Sequence, residues 1–215
     1  MVVLVSFGQG TLAKETSNYK LSKSEKKEIA RNFDTLGIDE ETQKKLIEKI
    51  ENGEVIDAMK EENLQKAADD MQNIALNESK TITFEDGSKI KYGTKLENVN
   101  ESDIKLTASP GSYTAKSYWY TGILNYSFYS DFVIRSGKNN DYITDAYNPI
   151  VTLIGPGSYT GEKASVIRRY ETSTRFAYSR MDFKYSVPTG SSNVSLYFNV
   201  GNNSYKTTLS LKDIK

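Results

Sequence analysis

Apolar positions recur every three or four residues through the first third of the chain, and every second residue through much of the rest. Between Lys23 and Leu36, residues Ile29, Phe33 and Leu36 share one helical face. Ser22 and Glu25 have the spacing of a capping box, and Gly37 suits the position just past the helix end. A second helix is predicted from Asp39-Glu40-Glu41, where negative charge favours a helix N-terminus, through Leu46, Ile47 and Ile50 to Asn52-Gly53. Glu54–Met59 reads as a short turn of structure. Asn63–Leu76 reads as a third helix carrying Leu64, Ala67, Ala68, Met71, Ile74 and Ala75. None is apolar all round, so each buries one stripe against a neighbour.

The period then changes to two. Lys80–Phe84 and Lys89–Tyr92 flank Glu85-Asp86-Gly87-Ser88, a hairpin signal with Asp-Gly at its centre. Strands are predicted at Ser117–Ile123, Leu124–Ile134, Asn148–Ile154, Ala164–Tyr170, Phe176–Val187, Val194–Val200 and Ser204–Leu211. Turns at 136–141, Gly155-Pro156-Gly157, 188–192 and Gly201-Asn202-Asn203 fall between them. Val194, Leu196, Phe198 and Val200 alternate cleanly onto one face. Short strands with regular turns and no helices between them indicate an antiparallel sandwich or barrel. The expected fold is therefore α+β, with a helical region over 14–79 followed by an antiparallel β-sandwich over 80–215. Pro110-Gly111-Ser112-Tyr113-Thr114 recurs as Pro156-Gly157-Ser158-Tyr159-Thr160, which reads as two similar turns that each open a strand. A duplicated β-unit is the alternative.

Residues 1–13 are apolar but too short for a bilayer, which needs roughly 20 such residues. They resemble the end of a signal-peptide core, with Thr11-Leu12-Ala13 as a small-x-small cleavage site. A first strand at Val2–Phe7 is the alternative.

Composition narrows the chemistry sharply. The chain has no His and no Cys. That excludes Ser-His-Asp triads, Cys nucleophiles, structural zinc of the usual kinds and common haem ligation. Lys plus Arg and Asp plus Glu are both 28, a balance that argues against a nucleic-acid binder. The balance conceals a dipole, since Lys14–Lys80 carries a net −4 and Thr81–Lys215 a net +4. The helical acid pairs Glu40/Glu41, Glu61/Glu62 and Asp69/Asp70 are adjacent in sequence, so their members do not face each other. Asp131, Asp141, Asp145, Glu162, Glu171 and Asp182 are scattered through the strands. Glycosidase chemistry would need two of them about 5–10 Å apart. Asn139-Asn140-Asp141 with Asp145 is the one local cluster suited to Ca²⁺, yet it lacks EF-hand spacing. No catalytic residue, metal or cofactor is expected.

Two constellations are candidates for binding. Thirteen of the 15 Tyr follow Pro110, and five of them, Tyr113, Tyr118, Tyr120, Tyr126 and Tyr129, crowd with Trp119, Phe128 and Phe132 into 20 residues. Tyr118, Trp119, Tyr120, Tyr126 and Tyr129 form the candidate aromatic surface, since Tyr and Trp offer rigid area with a polar tip. Tyr118 and Tyr120 share one strand face and Trp119 takes the other. Core packing of one set is the competing account. The second constellation is basic: Arg168, Arg169, Tyr170, Arg175 and Arg180, interleaved with Tyr178. It suits an anionic partner such as teichoic acid, lipid or nucleic acid, although nearby Glu171 and Asp182 favour ion pairing between strands.

Leu36–Lys49 with Asn52-Gly53-Glu54 resembles a helical segment that follows the signal peptide in exported Gram-positive proteins. The run from Tyr129-Ser130-Asp131-Phe132 to Leu209, with its Ile-Thr-Asp-Ala-Tyr segment and Arg/Tyr strands, is similar to a β domain of unknown function in secreted Bacillus-type proteins. This resemblance implies export and fold and supplies no active residues. The expectation is a secreted, non-enzymatic binding protein at the bacterial envelope. Its expected partner is a carbohydrate or protein at a cell surface, with no nucleic acid and no transmembrane segment. A secreted antibacterial or toxin-like protein and a carboxylate-only hydrolase are the alternatives.

Overall fold

The structure, a computed structural model, describes residues 19–71, 78–97, 109–137, 139–187 and 190–202 in full and 204–213 as backbone. The apolar run at 1–13 and the end of the expected third helix, 72–76, lie outside the described residues.

Local signals set the helices. Helix α1 spans Lys23–Thr35, and Ser22 and Glu25 close the expected capping box. At its end Gly37 takes φ +65°, while Ile38 N–H donates to the Phe33 carbonyl and Gly37 N–H to that of Asp34. Such a left-handed residue is nearly free only for glycine. Helix α2 spans Glu40–Glu51, capped by the Asp39 carboxylate on Thr42 N–H. A short 3-10 turn at Asp57–Met59 leads to α3, Glu61–Met71.

Among the described residues nine strands form two antiparallel meanders. Strands β1 (Ser79–Thr83), β2 (Lys89–Glu97), β3 (Gly111–Tyr120), β4 (Leu124–Ile134) and β5 (Tyr142–Leu153) pair in chain order in the first sheet. Strands β6 (Ser158–Arg168), β7 (Ala177–Val187), β8 (Gly190–Gly201) and β9 (Ser204–Asp213) do the same in the second. Strand β3 begins at Gly111 rather than Ser117 and stops at Tyr120. The residues after it are held in a tight turn by Thr121 Oγ1, which accepts from Leu124 N–H, and by Asn125 Oδ1, which accepts from Thr121 and Gly122 N–H. Strands β5 and β6 also start earlier than their apolar content suggested.

The sheets meet through buried side chains. Phe132 contacts Phe198, Tyr126 meets Phe183 edge-on, and the Ser130 and Ser179 hydroxyls hydrogen-bond at 2.7 Å. Val194, Leu196, Phe198 and Val200 are all buried, as their alternation predicted. The repeated pentapeptide opens β3 and β6, but its tyrosines differ: Tyr113 stacks on Phe132, whereas Tyr159 is exposed.

Helices α1 and α2 dock on turns of the first sheet, while α3 touches β2 and lies chiefly against β9 of the second. Asn32 Nδ2 donates to the Gly122 carbonyl at 2.9 Å, and the buried Phe33 ring lies against Gly122 itself, whose φ is +89°. Asp86 in the β1–β2 turn accepts from Lys49 Nζ and Asp57 N–H, and Ser88 Oγ accepts from Ala58 N–H. Burial raises the Asp86 pKa, but the Ser88 hydroxyl, the Asp57 amide and Lys49 together outweigh it and hold the group below the usual aspartate range. Tyr92 donates to Asp70 of α3, which also pairs with Lys80.

Two strands at sheet edges are irregular. In β5 the register shifts beside Asn148, which has φ +49° and precedes Pro149. In β6 it shifts between Thr160 and Lys163, around Gly161 at φ +72°. Exposed Ile150, Tyr159, Ile167 and Tyr170 lie on or just after these strands.

Candidate binding surface

Pairing register divides the expected aromatic cluster between two faces. On β3 and β4 the residues Trp119, Tyr126, Phe128 and Phe132 turn inward and are at most 2% exposed. Trp119 and Tyr126 are therefore core residues, and this corrects their assignment to a binding surface. Trp119 is stacked between Tyr92 at 5.2 Å and Tyr126 at 6.2 Å, an arrangement that suits the ring quadrupoles. Its indole N–H has no hydrogen-bond partner among the described residues.

The opposite face carries the remaining three. Because successive side chains alternate across a strand, the antiparallel register lays this face out in rows. One row is Lys91, Tyr120, Asn125 and Thr152, and the next is Gly93, Tyr118, Ser127 and Ile150. A third is Lys95, Lys116, Tyr129 and Tyr147, and a fourth is Glu97, Thr114, Asp131 and Asp145. Tyr118 and Tyr120 stack with centroids 5.0 Å apart, and Tyr129 and Tyr147 at 5.7 Å. Lys116 Nζ sits 5.6 Å from the Tyr129 ring centre and so bridges the two stacks. All four rings are half-buried, with one side on the sheet and the other toward solvent.

Gly93 makes room for this arrangement. A Cβ there would lie 2.4 Å from the Glu78 carbonyl oxygen and 3.0 Å from the Tyr118 hydroxyl. The bare backbone thus lets Tyr118 reach across β2 toward β1. Burial is the chief cause that raises the Tyr118 pKa. For Lys116 burial acts downward, but the neighbouring Tyr120 and Tyr129 hydroxyls outweigh it and raise the ammonium above the usual lysine range. At the acidic end Asp131 Oδ1 accepts from Thr114 Oγ1 at 2.6 Å and from the Tyr147 hydroxyl at 3.2 Å. Tyr147, Lys116, Lys91 and Lys95 were missed from sequence. The Lys116-x-Tyr118-x-Tyr120 alternation could have found the first lysine, but Tyr147 joins only through the β4–β5 register shift.

The basic constellation does not assemble. Arg168 donates to the Phe176 carbonyl and lies over Tyr178, while Arg180 pairs with Asp182 at 2.7 Å and lies over Tyr197. Arg169 folds back onto the Ile143 and Thr144 carbonyls, which corrects its place on a binding strand. Exposed Tyr170 packs beside Tyr142, and exposed Arg175 closes a turn with Thr172. Only Arg168 and Arg180 share a face, where Arg180 is paired with Asp182 and Arg168 is held by the Phe176 carbonyl and the Tyr178 ring.

The Asn139-Asn140-Asp141 turn also works internally. Asp141 is fully buried and accepts from Arg135 N–H. Its own N–H donates to buried Glu171, whose other oxygen accepts from Asn202 N–H, so one carboxylate ties three turns together. Among the described residues no three acidic side chains converge as metal ligands. No described helix is long and apolar enough to cross a membrane.

No known protein family matches this chain, and no curated protein matches it either. Among solved structures it is similar to a hypothetical protein of Listeria monocytogenes EGD-e, with 23% identity, a TM-score of 0.39, and coverage of 63% of this chain and 100% of that one.

Proposed function

We propose that this chain is an exported, non-enzymatic binding protein that holds a carbohydrate or protein partner at a bacterial envelope on the outer face of its first sheet. The observation that carries this reading is the paired tyrosine stack, Tyr118 with Tyr120 and Tyr129 with Tyr147, presented half-buried on a sheet face. Rings fixed in place lose little side-chain entropy when a flat ligand stacks on them, which makes them efficient anchors. The second sheet is the weaker candidate because its arginines are internally satisfied. Export rests on the apolar run before Lys14 and on the resemblance noted above. In this reading the two sheets pack face to face as a sandwich, which leaves both outer faces to solvent.

The test is binding of the purified chain to an array of envelope glycans and to cell-wall fractions. Tyr118→Ala and Tyr129→Ala should abolish retention, and Tyr178→Ala on the other sheet should not. Equal retention of all three variants, or none by the unaltered chain, would overturn the reading. N-terminal sequencing of the protein from culture supernatant tests export, with a start at Lys14 expected.

A further inference from the structure

The lysines of the tyrosine face are set apart by their placement, since two of them stand opposite each other on neighbouring strands beside the stacked rings. Lys26, Lys45, Lys49, Lys60 and Lys80 each hold an acid in an ion pair. Lys91, Lys95 and Lys116 hold none among the described residues. Lys95 and Lys116 are moreover directly opposed across β2 and β3. Like charges in that position repel and weaken the pairing. The acids of the face, Glu97, Asp131 and Asp145, are gathered in the adjacent row, where Asp131 is occupied by Thr114 and Tyr147. The surface is thus polarised, with a cationic pair beside aromatic rings and an acidic border on one side.

We infer that the face takes a phosphate-bearing glycan, with sugar rings on the Tyr118/Tyr120 and Tyr129/Tyr147 stacks and the phosphate across Lys95 and Lys116. The inference rests on the binding reading above and specifies its ligand. A phosphate relieves the repulsion between the two ammonium groups, and its tetrahedral oxygens accept point-like donors from several directions. A planar carboxylate favours the guanidinium fork, and this face carries no arginine. The high pKa of Lys116 keeps it charged at every physiological pH. The acidic row repels the phosphate and so sets the direction in which the ligand lies.

Calorimetric titration of the full chain tests this with three probes: maltotriose, its 6-phosphate, and trigalacturonate. The phosphorylated trisaccharide should bind at least about tenfold tighter than the other two, a factor expected for one charge-assisted hydrogen bond. Its affinity should fall as salt rises. Lys95→Gln and Lys116→Gln should each remove about that tenfold, and Lys95→Gln should leave the melting temperature unchanged or higher, because it removes a like-charge contact and spares Lys116 over the Tyr129 ring. A merely structural lysine would lower the melting temperature instead. Equal binding of neutral and phosphorylated sugar, or unaltered affinity in both variants, overturns the phosphate assignment and leaves the tyrosine surface standing. Preference for trigalacturonate overturns it in favour of a carboxylate. If the unaltered chain binds none of the probes or envelope fractions, both readings fall.

Discussion

Replacing Gly122 by alanine should separate α1 from the sheet it rests on. Two penalties act together at this position. Gly122 has φ +89°, where an L-residue costs about 1–2 kcal/mol. The new Cβ would also stand 2.5 Å from Cδ1 and Cε1 of Phe33, with Leu36 Cδ1 at 3.5 Å on the far side. Phe33 is fully buried and cannot swing into solvent, so the overpacking adds about 1–3 kcal/mol. The sum, about 2–5 kcal/mol, corresponds to a fall in melting temperature of roughly 4–20 °C for a chain of this size. Gly161→Ala is the internal control, because Gly161 has φ +72° with nothing within 4 Å of its would-be Cβ. It should show the backbone penalty alone. Urea unfolding of both variants gives the comparison, and in a Phe33→Ala background the Gly122→Ala cost should shrink to the control value. Equal costs for the two glycine variants in the unaltered background would refute the packing of Phe33 on this turn.

Three further outcomes follow from the geometry. Gly93→Ala drives a Cβ into the Glu78 carbonyl and the Tyr118 hydroxyl, so it should cost about 1–3 kcal/mol in urea unfolding and also shift Tyr118 fluorescence or ring NMR signals. Glu171→Gln keeps one acceptor oxygen but points an NH₂ at a second N–H donor. It should cost about 1–3 kcal/mol and accelerate amide exchange at Asp141 or Asn202. Asp57, Asp70 and Asp86 all have lowered pKa values in the folded chain: Asp57 chiefly through Lys60, Asp70 chiefly through Lys80, and Asp86 through the contacts that outweigh its burial. Their contribution is complete above the ordinary aspartate value of about 4 and is lost as pH falls through the folded values. Urea midpoints should therefore drop in that acid range, and Asp86→Asn should flatten the slope.

The helices were legible because their signals are local. Ser22, Glu25, Gly37, Asp39 and Gly53 each act within a turn of where they stand: Ser22, Glu25 and Gly37 close α1 as their spacing suggested, Gly53 follows the end of α2, and Asp39, expected as its first residue, caps it. Strand β8 was equally plain from its alternation. The extents of β3, β5 and β6 were less plain: the repeated pentapeptide marks where β3 and β6 open, but polar residues in the first half of β3, Asp145 and Pro149 in β5 and Gly161 in β6 interrupt the apolar alternation. Those segments are extended because a neighbouring strand fixes them. The candidate surface divides along the same line. That Tyr118 and Tyr120 oppose Trp119 follows from the two-residue period. Which of the two faces is core depends on what the second sheet and the helices cover, and no spacing within β3 carries that. Arg169 shows the limit from another side: its sequence neighbours are basic and aromatic, yet its partners are carbonyls on β5.

The irregular edges of β5 and β6 bear on how the molecule behaves in a crowd. A sheet edge is a template for another chain, and the exposed Ile150, Tyr159 and Ile167 would make this one adhesive. Strand β5 lies against β6 and bridges its end at Tyr142 and Tyr170, and away from that bridge a strand approaching β5 finds a kink at Asn148 and no N–H at Pro149, while one approaching β6 meets the kink at Gly161. The kinks thus act as a guard against fibre growth, keeping these edges from seeding polymer.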